Sequence, residues 1–208
     1  PQCRVRVNCH AVKNIWQYEA LAFKPGLVMR WFRDASASWK NRLPKTPAVT
    51  SIPDEPGSGK IPAGCYGMMC TFSDVMNFIN WKPLPYIYKF PAGSGSFNRY
   101  TFYRAILENT ALVTKGHMEL VQESTGHMPS VGYLASGASK SPLWSQILAD
   151  VLGIPVKVPA VKEATALGQL IAGYGAGIYP NISAAAKKLV KIDHTYPAEM
   201  ENHKVYCE

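Results

Sequence analysis

The stretch from Val131 to Pro159 constrains the fold more than any other part of this sequence. VGYLA, Val131 to Ala135, is a short apolar run of the kind that forms a buried strand. Ser136-Gly137-Ala138-Ser139 follows, a turn with little side-chain bulk. Ser141 is a helix-capping residue, and Pro142 suits the first helical position, where its missing N–H costs nothing. Leu143, Trp144, Ile147, Leu148, Val151 and Leu152 then recur at helical spacing, with Ser145, Gln146 and Asp150 opposite or at the edges. Gly153 suits the stop, and Ile154 to Val158 alternates as a second strand closed by Pro159. Strand, small turn, helix and strand make an α/β unit. In such a turn backbone N–H groups can approach an anion closely, and the helix N-terminus adds partial positive charge. A phosphate or the nucleoside end of a nucleotide fits that chemistry; a tight turn without a ligand is the other reading.

The alternation of elements continues on both sides. Glu163 to Tyr174 reads as a helix in which Ala164, Gly168 and Ala172 lie four apart. Gly168 costs ~1 kcal/mol of helix propensity relative to Ala. Close packing of a small face on the sheet would offset that cost, and a bound ligand is the second explanation. Near the start, Val5, Val7 and Cys9 alternate with Arg4, Arg6 and Asn8, which predicts a half-buried strand. Ile15 to Phe23 is its partner across a Lys13-Asn14 turn. Pro25-Gly26 opens a helix that runs to Asp34. A strong helix is predicted from Thr101 to Val121, with Tyr103, Ile106, Leu107, Thr110, Ala111, Thr114 and Met118 on one stripe and an Arg104–Glu108 pair one turn apart. Ala35 to Gly64 is rich in Pro, Ser and Thr and reads as a long loop. Its GSGK, Gly57 to Lys60, is no phosphate-binding loop: Asp54 stands where that motif needs Gly, and Ile61 where it needs Ser or Thr. Tyr66 to Phe90 is aromatic-rich and irregular, and residues 92–99 read as a turn. Ala184 to Glu208 reads as a tail that starts helical and ends polar.

Charge and cysteine usage narrow the classes of partner. The net charge of +8 favours anionic ligands, nucleotides among them. No aromatic residues interleave with basic ones as in a nucleic-acid surface, so no nucleic-acid partner is expected. No apolar run approaches the ~18 residues of a membrane span. The cysteine count of 5 is odd and the spacings match no zinc pattern, so reduced thiols, a cytoplasmic location and no metal site are expected. Cys9 beside His10 reads as two strand neighbours. The sequence opens at Pro1, without Met or a signal-peptide layout, as a chain cut from something larger would.

SGASKSPLWSQILADVLGIPVKVPAVKEATALG resembles the second conserved region of FGGY carbohydrate kinases. RVNCH (Arg6 to His10), PGLVMRWFRD (Pro25 to Asp34) and NRYTFYRAILEN (Asn98 to Asn109) are similar to segments of that family in the same order. The resemblance spans nearly the whole chain apart from Ala35 to Ala63. It implies an actin-like ATPase fold of two ribonuclease H-like domains, with residues 1–208 forming the second, a mixed sheet with flanking helices. It further implies ATP as phosphoryl donor, Mg2+ to neutralise phosphate charge, a small sugar or polyol as acceptor, and an Asp as base. By position, Gly137 and Ala138 fall on the turn that contacts the nucleotide, and Ser141 falls near the adenine. Gly26 and Arg30 fall on the other wall of the site. Two departures stand out. Ser136 occupies the first position of a turn that usually opens with Gly-Gly, and residues 35–64 are Pro-rich where relatives are helical. The base, the sugar pocket and a further phosphate turn belong to the family's first domain, which this sequence does not contain. Asp34 and Asp74 do not replace that base, so no catalytic residue is assigned and the chain is expected to be inactive alone. A truncated, non-catalytic paralogue that binds a nucleotide or a partner is the alternative.

Overall fold

The computed structural model describes residues 5–10, 12, 14–20, 25–38, 55–70, 87–88, 97–175 and 177–208. Strands β1 (Arg6–Cys9) and β2 (Trp16–Glu19) form an antiparallel hairpin in the register Arg6↔Glu19 to Cys9↔Trp16. Its turn uses Asn14 at φ 64°, a left-handed conformation that Asn tolerates better than most residues. The predicted half-burial of β1 is not observed: Val7 and Cys9 are exposed, as are Trp16 and Tyr18. Among the described residues the hairpin is a two-stranded sheet by itself, with no buried core against its faces. Cross-strand pairs such as Val7↔Tyr18 take that role. Phe23, the expected end of the second strand, lies outside the described residues.

Helix α1 (Pro25–Ser38) turns Val28, Met29 and Phe32 inward and leaves Leu27, Arg30 and Trp31 exposed. The segment read as a long loop contains a short helix, α2 (Glu55–Ser58). A Cβ on Gly57 would come within 2.5 Å of the Tyr100 ring, and the buried Ser58 hydroxyl donates to the Tyr100 carbonyl at 3.0 Å. The glycine and serine of GSGK therefore serve packing. Beyond them lie a pair of short strands, β3 (Met69–Cys70) and β4 (Ile87–Tyr88).

Helix α3 (Arg99–Thr125) is the longest element. Asn98 caps it: its side chain accepts from the Tyr100 and Thr101 N–H groups, while the Thr101 hydroxyl accepts from Asn98 N–H. Gly126, at φ 72°, ends it. The helix passes through Gly116 without a break and is buried on two sides. Tyr103, Ile106, Leu107 and Ala111 pack with Met29 of α1 and with Trp144, Ile147 and Val151 further on. Ala105 packs with Ile61, Cys65, Met68 and Cys70.

The last part of the described chain holds a mixed sheet. Strands β5 (Gly132–Tyr133) and β6 (Val156–Pro159) pair in parallel, joined by helix α4 (Pro142–Leu152). Helices α5 (Ala164–Gly175) and α6 (Ile182–Leu189) lead to strand β7 (Ile192–Tyr196), which pairs antiparallel with β6, and helix α7 (Met200–Val205) follows. Two expectations are corrected here. The stretch read as a tail that starts helical and ends polar does start in α6, but beyond it supplies β7 and α7. Ser145 and Asp150, placed opposite or at the edges of α4's apolar face, are buried. The Ser145 hydroxyl donates to Ser141 O at 2.9 Å, while Asp150 Oδ1 accepts from Gln146 Nε2 (2.7 Å) and, from the C-terminal stretch, Glu199 N (2.9 Å), and its Oδ2 from Asn202 Nδ2 (2.9 Å). Among the described residues no helix is long and apolar enough to cross a membrane.

A second buried polar group ties the C-terminal stretch to α3. Arg104 Nε donates to Glu108 Oε1 at 2.7 Å, both side chains being almost wholly buried. The Tyr206 hydroxyl donates to the same oxygen at 2.8 Å and accepts from Arg104 Nη2 at 3.4 Å. Burial, then the Glu108 charge, raises the Tyr206 pKa. Replacing Tyr206 by Phe is expected to cost about 1.5–3 kcal/mol, as for hydrogen bonds to charged groups. Arg104→Met, which leaves the Glu108 carboxylate buried without its cation, is expected to cost about 3–5 kcal/mol. Urea denaturation read by circular dichroism checks both, and unchanged midpoints would show that the network carries no stability.

Candidate functional site

Between β5 and α4 the chain makes a single 3-10 turn, Gly137–Lys140. Ser139 N donates to Ser136 O at 3.2 Å, and the Ser139 hydroxyl donates to the same carbonyl at 2.7 Å. Ser141 N closes the turn on Ala138 O at 3.1 Å. Ser139 N is the first donor within the turn, so the N–H groups of Gly137 and Ala138 have no acceptor inside it. Gly137 is exposed, and an added Cβ there would meet nothing within 4 Å. Ala138 is half-buried and packs on the cluster that holds Trp144 and Met29.

The turn is anchored on its far side. Ser136 N donates to Lys162 O at 2.7 Å, and Lys140 Nζ lies 3.7 Å from Glu163 Oε1. The start of α5 is thus held beside the turn. Lys162 Nζ is occupied by Pro159 O (2.9 Å) and Asp193 Oδ2 (3.0 Å), which joins this corner to β7. Gly168, one turn into α5, is exposed with open space around it. The expected close packing on the sheet is therefore not what Gly168 provides.

Ser136 is the unusual residue of the site. Its backbone lies at φ 66°, ψ −152°, a region used almost only by glycine. The sequence marks position 136 as a departure, and the backbone gives the physical reason: this is where the turn needs a residue without a Cβ. Gly137 does not adopt positive φ. Its smallness leaves the turn uncovered, while the conformational demand falls one residue earlier.

The other predicted site residues divide in two. Ser141 is the N-cap of α4: its hydroxyl accepts from Trp144 N at 3.0 Å and its carbonyl accepts from Ser145 N and Oγ. It is buried, so it fixes the helix start rather than presenting a free hydroxyl. Gly26 and Arg30 lie one turn apart on the exposed face of α1. The inner face of that helix shares the apolar cluster on which Ala138 packs. Asp34 is exposed and pairs with Arg33 at 2.8 Å, and Asp74 lies outside the described residues. Among the described residues no group of three or more His, Cys, Asp or Glu side chains could hold a metal ion. His10 Nδ1 accepts from Val12 N instead. The link from Ser136 to Lys162 had no sequence signal, because it joins two backbone groups.

Residues 92–176 match the profile of the FGGY family of carbohydrate kinases, C-terminal domain, a span that contains the turn, α4, β6 and α5. Over 99% of its length the chain is 39% identical to an autoinducer-2 kinase of Photorhabdus laumondii, and it covers 39% of that protein. In three dimensions it is similar to the xylulose kinase of Rhodospirillum rubrum (TM-score 0.75, 21% identity, 98% of this chain and 40% of that one). It is also similar to a Plasmodium falciparum glycerol kinase solved with ADP (TM-score 0.74, 15% identity, 99% of this chain and 40% of that one). The α/β architecture is therefore similar to the fold of these two kinases over the part of their length that this chain matches.

The backbone of Ser136 generates a stability prediction. Ser136→Gly relieves a strained position and is expected to raise stability by about 1 kcal/mol, net of the entropy a glycine adds to the unfolded chain. Ser141→Ala removes the cap and is expected to lower it by about 1 kcal/mol. Thermal and urea denaturation of the pair give opposite shifts if the turn is built this way.

Proposed function

We propose that this chain is the nucleotide-facing part of an ATP-dependent kinase for a small sugar or polyol, a reading supported by the match of residues 92–176 to the C-terminal domain of the FGGY family of carbohydrate kinases. Autoinducer-2 is the acceptor that the names of its similar relatives point to. The observation that carries the reading is the turn at the head of α4, with the Gly137 and Ala138 N–H groups unused within it and Gly137 exposed. An anion at that point would meet two N–H donors and the positive end of a capped helix. The ADP of the similar glycerol kinase supports a nucleotide in that role.

The roles of the residues follow from where they stand. Gly137 and Ala138 approach the nucleotide with their backbone. Ser141 holds the helix that aims them, and Gly26 and Arg30 line the opposite wall. Bound ATP supplies the phosphoryl group, with Mg2+ offsetting its charge. The chain spans about 39% of the length of the curated relatives it matches. In this reading the sugar pocket and the base come from the remainder of such a kinase. Residues 1–208 form one domain in this proposal, with 35–64 as its divergent segment and 184–208 closing it.

One observation favours a second reading, a nucleotide- or partner-binding module without transfer. Ser136 puts a side chain where the turn's backbone calls for none, on the exposed surface beside Gly137. Hydrogen exchange with saturating ADP tests the first reading. Slowed exchange is expected at residues 136–141 and at the start of α1, and Gly137→Glu is expected to abolish it while leaving the melting temperature unchanged. Protection elsewhere, or none at all, would overturn the nucleotide assignment. Incubation of the 208-residue chain with ATP and autoinducer-2 is expected to yield no phosphorylated sugar. Turnover by this chain would show that it holds a base of its own.

A further inference from the structure

A nucleophile far along the chain has surroundings that the candidate site does not use. Cys207 follows α7 and is exposed. Its Sγ lies 3.5 Å from Nε2 of His203, one helical turn earlier, and accepts from Lys115 Nζ of α3 at 3.2 Å. His203 Nδ1 lies 2.8 Å from the Asp150 carbonyl oxygen of α4. A carbonyl only accepts, so Nδ1 carries the ring proton and Nε2 turns its lone pair toward the thiol. The ring has room because residue 153 is glycine: a Cβ there would come within 2.6 Å of it. Sulfur and base from the C-terminal stretch and a cation from α3 thus converge at a point open to solvent.

We propose that Cys207 is a thiol-modification site that exchanges with low-molecular-weight disulfides. The thiol proton passes to His203 Nε2, and Sγ forms a bond to one sulfur of the disulfide. The disulfide's own S–S bond breaks, and its other half leaves with the electron pair and takes up a proton. Cys207 ends oxidised in a mixed disulfide, one reagent thiol is released, and no further oxidant enters. The Lys115 ammonium stabilises the negative charge on sulfur during attack.

The other described cysteines lack this arrangement. Cys65 and Cys70 are buried in the second apolar cluster. Burial, with the Glu108 charge adding to it, pushes the Cys70 thiol up to about 12 and the Cys65 thiol up as well. Both stay protonated and covered. Cys9 is exposed, and among the described residues no imidazole or ammonium is bonded to its sulfur. It serves as an internal reference for exposure alone.

The test is timed incubation of the protein with glutathione disulfide, followed by peptide mapping by mass spectrometry. Cys207 is expected to acquire the adduct at least about tenfold faster than Cys9, and dithiothreitol is expected to remove it. Lys115→Met and His203→Gln are each expected to slow Cys207 several-fold and leave the Cys9 rate unchanged, with circular dichroism confirming the fold. Equal rates at Cys207 and Cys9 in the unaltered protein would overturn the proposal. So would variants that fold normally and react at Cys207 as fast as the original.

Discussion

The carboxylate of Asp150 is the interaction on which the arrangement of the last third of the chain depends. A carboxylate removed from water costs several kcal/mol unless its oxygens accept hydrogen bonds from other donors. Here Gln146, the Glu199 backbone and Asn202 supply the donors, and the residue's own carbonyl accepts from His203. Two of these partners lie in α7 and a third immediately before it. Docking that helix is what makes the burial of Asp150 tolerable, and Asp150 is what gives the short, otherwise exposed helix a fixed seat. From that seat follow the contacts of Tyr206 with Arg104 and Glu108, and of Cys207 with Lys115.

α4 transmits this fixity to its other end. Its 11 residues span roughly 16 Å at 1.5 Å each. Ser141 caps one end, and the left-handed Gly153 caps the other with its N–H on Ala149 O. Trp144, Ile147 and Val151 lock the helix to α3 between the caps. The turn at Gly137 therefore sits on the end of a short buried rod whose far end is held by α7. Neither the turn nor the C-terminal stretch is positioned independently of the other.

What the sequence disclosed follows the range of the forces involved. The limits of α4 were legible to the residue, because Ser141, Pro142 and Gly153 act on the backbone within one turn of themselves. The Arg104–Glu108 pair was legible for the same reason. Asp150 was not: its partners lie 49 and 52 positions away, and nothing in LADVL separates a buried acid from a solvated one. β7 escaped notice because IDHTY gains a place in the sheet only by pairing with β6, and the sequence between Ile192 and Tyr196 is largely exposed even so. The hairpin erred in the opposite direction, since the alternation of Val5, Val7 and Cys9 announces a buried face that the described structure does not give it. At the candidate site, the positions of Gly137 and Ala138 were readable as a small turn, but the burial of the Ser141 hydroxyl and the link from Ser136 to Lys162 depend on the folded chain.

Ser136 separates two properties that usually travel together. A residue at φ 66°, ψ −152° costs of order 1–3 kcal/mol when it carries a Cβ. The turn keeps this shape because Ser136 N is held by Lys162 O, and Ser136 O by both the N–H and the hydroxyl of Ser139. Those bonds are made by backbone atoms of residue 136, so they form whatever its side chain is. The shape of the turn is thus determined by its surroundings and survives the loss of a glycine. The geometry of this turn therefore persists through the bonds of Ser136 to Lys162 and Ser139, and the serine side chain adds strain without removing them.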